Sequence, residues 1–303
     1  MKIFCPNCKS RFRRSTTFPK LVLRAGHFYR ISDRKRVPRF KCKPCRLHFS
    51  SATLSVCYRQ KKRHINSKLF AEFVSGVSLR ESARKLKINR KTVDRKLVFL
   101  APLARALNEK LTGSRVRVSE LEFDDMETFE HTKCKPLSIT LAVEHRTRWI
   151  LGAQVSRMPA RGLLTQKALK KYGHRTDERD LGRALLFTDI SRFVTPKVLI
   201  KSDQNPHYAP SVRAYFPEAE HVQYKGREAC VVGQGELKKG GFDPLFSLNH
   251  TCAMMRAKVS RLIRKTWNTT KRPDRLQMHL EVAILNHNLR LLRGGKNAGR
   301  GAS

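Results

Sequence analysis

The chain has 303 residues, 40% of them hydrophobic, with 64 Lys and Arg against 24 Asp and Glu, a formal net charge of +40 and a pI near 10.8. That apolar share is enough for a core and excludes a disordered basic tail. Basic runs such as RKRVPRFKCKPCR, RQKKRH and KVSRLIRK recur from end to end, which argues against a small acidic substrate and for a long polyanion. Nucleic acid is the first expectation, because neutralising phosphates releases counterions. On charge alone a ribosome-associated or RNA-binding protein also fits.

No run of about 18 apolar residues is present, so no membrane span is expected. The opening MKIFCPNCKSRFRR lacks the apolar core of a secretion signal. A cytoplasmic, nucleoid-associated location is therefore expected. Four of the eight cysteines form two CxxC pairs, Cys5 and Cys8 (CPNC) and Cys42 and Cys45 (CKPC). In a reducing compartment that pattern reads as zinc ligation, each pair setting two thiolates on a tight turn; dithiol exchange is the alternative. The 33 residues between the pairs exceed the usual ribbon spacing and predict an extended hairpin or loop. Arg11, Arg13, Arg14, Arg24, Arg30, Arg34, Lys35, Arg36 and Arg39 alternate there with Phe12, Phe18, Phe28 and Tyr29. Such interleaving suits a nucleic-acid contact, or the aromatics simply pack this small domain of residues 1–58.

Residues 62–112 read as helical. Leu79, Ala83, Leu86, Ile88, Val93 and Leu97 are the apolar positions, and KINR forms a turn. The pattern predicts a helix-turn-helix whose second helix, about 90–99, presents Arg90, Lys91, Thr92 and Arg95 to a major groove of double-stranded DNA. Lys87 stands where many such turns have Gly, and an ordinary helical hairpin is the plainer alternative.

Residues 115–292 read as α/β. Strands are predicted at 116–123, 136–144, 147–156 and 197–203, with a short one at 221–226 and helices over 161–173 and 177–194. GQGELKKGG (233–241) is too glycine-rich for either element and lacks the ending of a P-loop. Helices are expected at 249–267, with Cys252, Met255, Val259 and Leu262 as the stripe, and at 273–292, before a flexible basic tail from 293 to 303. Trp149 and Trp267 read as core, and His131 with Cys134 as packing or surface. His207 and Tyr208 are surface residues or DNA contacts, and Lys238, Lys239 and the 261–265 run are phosphate contacts or a solvated face.

Asp124 is expected to end the first of these strands and Asp203 the fourth, so parallel pairing would bring both carboxylates to one sheet edge. Two carboxylates so placed repel unless a cation sits between them. Mg²⁺ or Mn²⁺, with oxygen ligands and places left for substrate phosphate, suits phosphodiester displacement. Asp124 is the expected ligand and Asp125 a secondary one.

The four-cysteine and helical front, FDDMETFEHTKCKPLSITLAVEHRTRWILGAQVS, VLIKSDQNPHY and LNHTCAMMRAKVSRLIRKTW together resemble the DDE-type transposases of bacterial insertion sequences. The nearest group is the family of the first-numbered insertion sequence. The resemblance covers nearly the whole chain. It implies an α/β architecture of zinc ribbon, helix-turn-helix and an RNase H-like mixed-sheet catalytic domain. It also implies Mg²⁺-dependent cleavage at transposon ends and joining of the 3′-OH to target DNA. Asp124 and Asp203 match the first two acids of that family. Where its third acid is expected the chain has Asn249 followed by His250, with Asn249, Ala253, Arg256 and Ser260 expected on one helical face. Glu236, 33 residues after Asp203, and Asp243 are the other candidates. The substitution leaves a second reading open, a transposase-derived DNA-binding regulator without catalysis. Bringing two DNA ends together implies a homo-oligomer.

Overall fold

The computed structural model describes residues 3–10, 20–225, 243–263, 268 and 270–298. Arg11, Phe12, Arg13, Arg14, Phe18, Glu236, Lys238, Lys239, Arg264, Lys265, Trp267 and the 233–241 segment lie outside them. The chain divides into two compact units, Met1–Lys68 and Leu69–Ser303.

In the first unit β1 (Val22–Arg30), β2 (Lys35–Cys42) and β3 (His48–Ser50) form an antiparallel sheet. The long insert between the CxxC pairs is thus built around a hairpin. Arg34, in the left-handed conformation at φ 50°, closes its tip, and Gly26 at φ 74° sits where the register slips between Arg24 and His27. Val22, Phe40 and Phe49 pack around Cys5 and Cys42, with Phe40 stacked on its cross-strand partner Phe49 at 5.6 Å. Phe28 and Tyr29 stay exposed, so these two aromatics do not fill the core.

Three helices follow, α1 (Asn66–Phe73), α2 (Leu79–Lys85) and α3 (Arg90–Gly113). Ser78 starts α2 by accepting the Glu81 amide at 3.1 Å, the Ser-x-x-Glu signature of a helix start. Asn89 starts α3 by accepting the Lys91 amide at 2.8 Å. Between them Lys87 adopts φ 50°, the conformation for which glycine is usual. α3 does not stop near residue 99. Val93, Leu97, Ala101 and Ala104 continue its buried stripe, while Pro102 faces solvent. The stripe runs on through Asn108, bonded to Asn288 at 2.7 Å, to Thr112. Segments 62–112 and 115–292 therefore share most of one compact unit from Leu69 onward.

That unit is built on a five-stranded mixed sheet ordered β6-β5-β4-β7-β8. β4 (Val118–Phe129), β5 (Pro136–Glu144) and β6 (Ile150–Arg157) run as an antiparallel meander. β7 (Val194–Asp203) pairs parallel to β4, and β8 (Glu220–Tyr224) parallel to β7. α4 (Thr165–Tyr172) and α5 (Arg179–Ser191) make the crossover to β7. α5 and α6 (Tyr208–Tyr215) cover one face through Phe123, Phe187, Ile200, Tyr208 and Val212. A Cβ at Gly182 would overlap the Ser156 hydroxyl, so glycine lets α5 approach β6.

α7 (Phe246–Lys258) and α8 (Pro273–Ala298) complete the unit. α8 seals the outer edge of β6. Gln277 takes the Val155 amide and gives to the Ala153 carbonyl, each at 2.9 Å, and Asn288 bridges the Ile150 amide and carbonyl at 3.0 and 2.8 Å. Besides the end of α3, further boundaries differ from the sequence expectation. β4 runs on to Phe129 because β5 pairs with it throughout, so Asp124 lies inside the strand and not at its end. α7 stops at Lys258, where Val259 turns extended (φ −95°, ψ 106°), so Ser260 leaves the expected Asn249 face. Helix continues to Ala298 where a flexible tail was expected.

Candidate metal centres

The first centre is the cysteine cluster. Each CxxC turn is followed by a residue in the left-handed region, Lys9 (φ 59°) and Arg46 (φ 55°), which folds the chain back over its thiols. Backbone bonds from the Cys5 amide to the Ser10 carbonyl (2.8 Å) and from the Cys42 amide to the Leu47 carbonyl (2.9 Å) fix the two turns. Cys5 and Cys45 sulfurs stand 3.4 Å apart, as do those of Cys8 and Cys42, and all four lie within 4.8 Å of one another. A disulfide needs about 2.05 Å. Tetrahedral zinc, with Zn–S near 2.3 Å, sets its sulfurs about 3.8 Å apart. The four cysteines are thus close enough to hold a structural metal such as zinc, and the spacing does not suit a disulfide. The Ser10 hydroxyl and amide pull the Cys8 thiol down to about 6, while the neighbouring Cys42 thiol is shifted the opposite way, up to about 12, so the case for a metal rests on the spacing of the four sulfurs. Cys134 is buried, and the His131 ring meets Tyr172 edge-on at 6.0 Å; neither belongs to a metal-sized group among the described residues.

The second centre is a pair of carboxylates on neighbouring parallel strands. Glu120, Leu121 and Glu122 pair with Leu199, Ile200 and Lys201, a register that two further residues would bring to Asp124 and Asp203. The Asp124 carboxyl is pushed up to about 6, first by burial and then by the charge of Asp203. Bonds to Asp124 Oδ1 from the Asp125 amide (2.7 Å) and the Tyr208 hydroxyl (3.0 Å) only partly offset that. Asp203 ends β7 and is turned by the Asn205 amide, which donates to Oδ1 at 3.0 Å.

Asp125, next along the strand, points to the opposite face. It accepts the Thr140 hydroxyl at 2.5 Å and pairs with the buried Arg183 at 3.2 Å. Arg183 also meets Asp180 and lies over the Tyr208 ring, 5.4 Å from its centre. Asp125 therefore serves as the counter-ion of Arg183, while among the described residues Asp124 has only hydrogen-bond partners. Tyr208 is buried, which corrects its expected surface position. Burial and the charges of Asp125, Asp124 and Asp203 push its hydroxyl far up, so it remains a proton donor.

The late helix brings no third carboxylate to this pair among the described residues. Asn249 and His250 lie on the exposed side of α7, where Asn249 donates to Asp243 at 3.0 Å and His250 accepts from Arg148 at 3.0 Å. Asp243 is occupied at the start of α7, accepting the Leu245 amide at 3.0 Å as well. The buried side of α7 carries Leu248, Thr251, Cys252 and Met255. The Cys252 thiol is pushed up to about 12 chiefly by burial; Arg256 opposes this and the Asp124 charge adds to it.

Glu122 was not singled out by sequence reasoning. It is fully buried two residues before Asp124, accepts the Leu248 amide at 2.7 Å and meets His145. Glu120, Glu122 and Asp124 alternate along β4 and so share a face; that alternation in ELEFD was the available signal. Elsewhere, Arg90, Lys91 and Arg95 are exposed at the start of α3 and Thr92 is half-buried. Trp149 is buried, its indole donating to Thr112 at 3.0 Å. No helix of the described residues is long and apolar enough to cross a membrane. No family model and no curated protein matches the chain.

Proposed function

We propose that the chain is a DNA transposase that binds transposon ends and uses Mg²⁺ or Mn²⁺ between Asp124 and Asp203 to cut DNA and transfer the strand. The observation that carries this reading is the parallel pairing of β4 with β7, which leaves Asp124 half-buried and within reach of the Asp203 charge. Support also comes from the strand order, an antiparallel meander flanked by two parallel strands, which is what an RNase H-like sheet requires. α2 and α3, joined through the left-handed Lys87, fit a helix-turn-helix with Arg90, Lys91 and Arg95 free to meet DNA. A net charge of +40 supplies the attraction to it.

The donor set, two carboxylates, fits a hard cation, whose remaining positions water and phosphate oxygens would fill. Such an ion supplies charge neutralisation to a phosphodiester undergoing displacement. The chain's own residues do the positioning. Tyr208 holds one oxygen of Asp124, and among the described residues the other has no hydrogen-bond partner. Arg183 keeps Asp125 turned away, and Glu122 fastens the first turn of α7 to the strand that carries Asp124.

With a duplex bearing the terminal repeats, Asp124→Ala and Asp203→Ala are expected to abolish Mg²⁺-dependent cleavage and leave end binding intact. Cleavage that persists in both variants would refute the site.

A second reading, a DNA-binding regulator that keeps this fold without catalysis, is favoured by one observation. Cys252, not a carboxylate, is the α7 residue that feels the Asp124 charge. Absence of strand transfer by the purified full chain, with end binding retained, would favour it.

A further inference from the structure

Between the α2–α3 pair and the segment after α7 lies a cleft of about 600 Å³. Arg90, Lys91 and Arg95 line one side, and Arg261, Arg272 and Arg275 the other. Asp94 is the only acid among the lining residues, and Arg275 already holds it at 3.2 Å. Arg272 leans on Asp274 at 2.7 Å, outside the lining. Among the described residues no acid pairs with Arg90, Lys91 or Arg95. At the inner end, the Arg261 Nε is buried and has no hydrogen-bond partner among the described residues. An unpartnered buried donor on a charged group is costly, and the Arg261 side chain that carries it lines a cleft of further cations. Burial draws the Arg261 guanidinium below its usual range; Asp94 opposes this, and Arg275 and Arg90 deepen it. Carboxylates within the cleft cannot balance these charges. An anion with several acceptor oxygens can, because guanidinium groups bind tetrahedral oxyanions in a two-pronged fashion.

We propose that this cleft is a phosphate site, with Arg261 at its buried end and Lys91 and Arg272 at its mouth. The ligand is a phosphate group, carried either by a nucleic-acid strand lying along α3 or by free phosphate. The site depends on the cleft's charge and shape and not on Asp124 or Asp203, so its failure would leave the cation site untouched.

The test is thermal unfolding of the full chain titrated with inorganic phosphate, against chloride at matched ionic strength, with and without a short DNA duplex. A saturable rise in Tm is expected. It should weaken about tenfold in Arg261→Gln and in the exposed pair Lys91→Ala with Arg272→Ala, whose circular dichroism should be unchanged. If the Gln variant does not fold, the exposed pair decides. Competition by the duplex assigns the site to nucleic-acid phosphate, and binding of phosphate beside the duplex assigns it to the free ion; either supports a phosphate site. No saturable shift beyond chloride, or undiminished affinity in the variants, would overturn it.

Discussion

The carboxylate of Glu122 accepts the backbone N–H of Leu248 at 2.7 Å, tying the strand that carries Asp124 to the first turn of α7. Glu122 is fully buried and His145 stands against it, so the bond sits in a dry setting where its loss is felt. An acceptor near a helix start also satisfies an amide that has no partner within the helix.

Removing that acceptor should therefore loosen α7. Glu122→Ala is expected to cost about 3 kcal/mol, since it strands the Leu248 amide and leaves a void. Glu122→Gln keeps an acceptor and should cost less. Urea unfolding checks both; equal costs would show that the carboxylate charge facing His145, and not the acceptor offered to Leu248, is what matters.

Asp124 gives the protein a pH dependence of definite sign. Below about pH 4 it is protonated in both folded and unfolded chain and carries no penalty. As pH rises towards its folded value of about 6, the unfolded chain ionises first and stability falls; above that the loss is constant. A shift of that size corresponds to about 3 kcal/mol. Without added Mg²⁺, Asp124→Asn should accordingly raise Tm at pH 8 and leave it unchanged near pH 4. A destabilised variant at pH 8 would contradict the burial argument.

Tyr208→Phe removes the donor to Asp124 Oδ1 and should raise the Asp124 pKa further. Divalent-ion affinity near pH 6.5 should fall, with recovery at higher pH as the carboxyl ionises. A loss that does not recover with pH would point to a packing role for the ring.

Zinc should be present at one ion per chain, bound by Cys5, Cys8, Cys42 and Cys45. The small core around Val22, Phe40 and Phe49 leaves the first unit dependent on it. Chelation or Cys8→Ser should remove its protection in amide hydrogen exchange while β4 and β5 stay protected. Retained protection of β1 and β2 without metal would refute this.

What could be read from the sequence was whatever depends on local spacing. The CxxC pairs, the meander, and strands ending near Asp203 all follow from turns and alternation within a few residues. Features set by packing from a distance could not be read in the same way. Asp124 looks terminal because acids usually stop a strand, yet β5 carries the pairing to Phe129. Glu122 looks like a solvent-facing residue until α7 and His145 close over it. Tyr208 looks like loop until α6 carries it under β4 to meet Asp124. α7 has no Gly or Pro to mark its end at Lys258; burial of Val259 and Leu262 after the turn takes that role.

Mn²⁺ binding to the zinc-loaded full chain at pH 8, followed by electron paramagnetic resonance, addresses the pairing of Asp124 and Asp203 most directly. One saturable site is expected, lost in Asp124→Asn and in Asp203→Asn and retained in Asp243→Asn. Binding that survives both of the first two substitutions would contradict a cation site between β4 and β7.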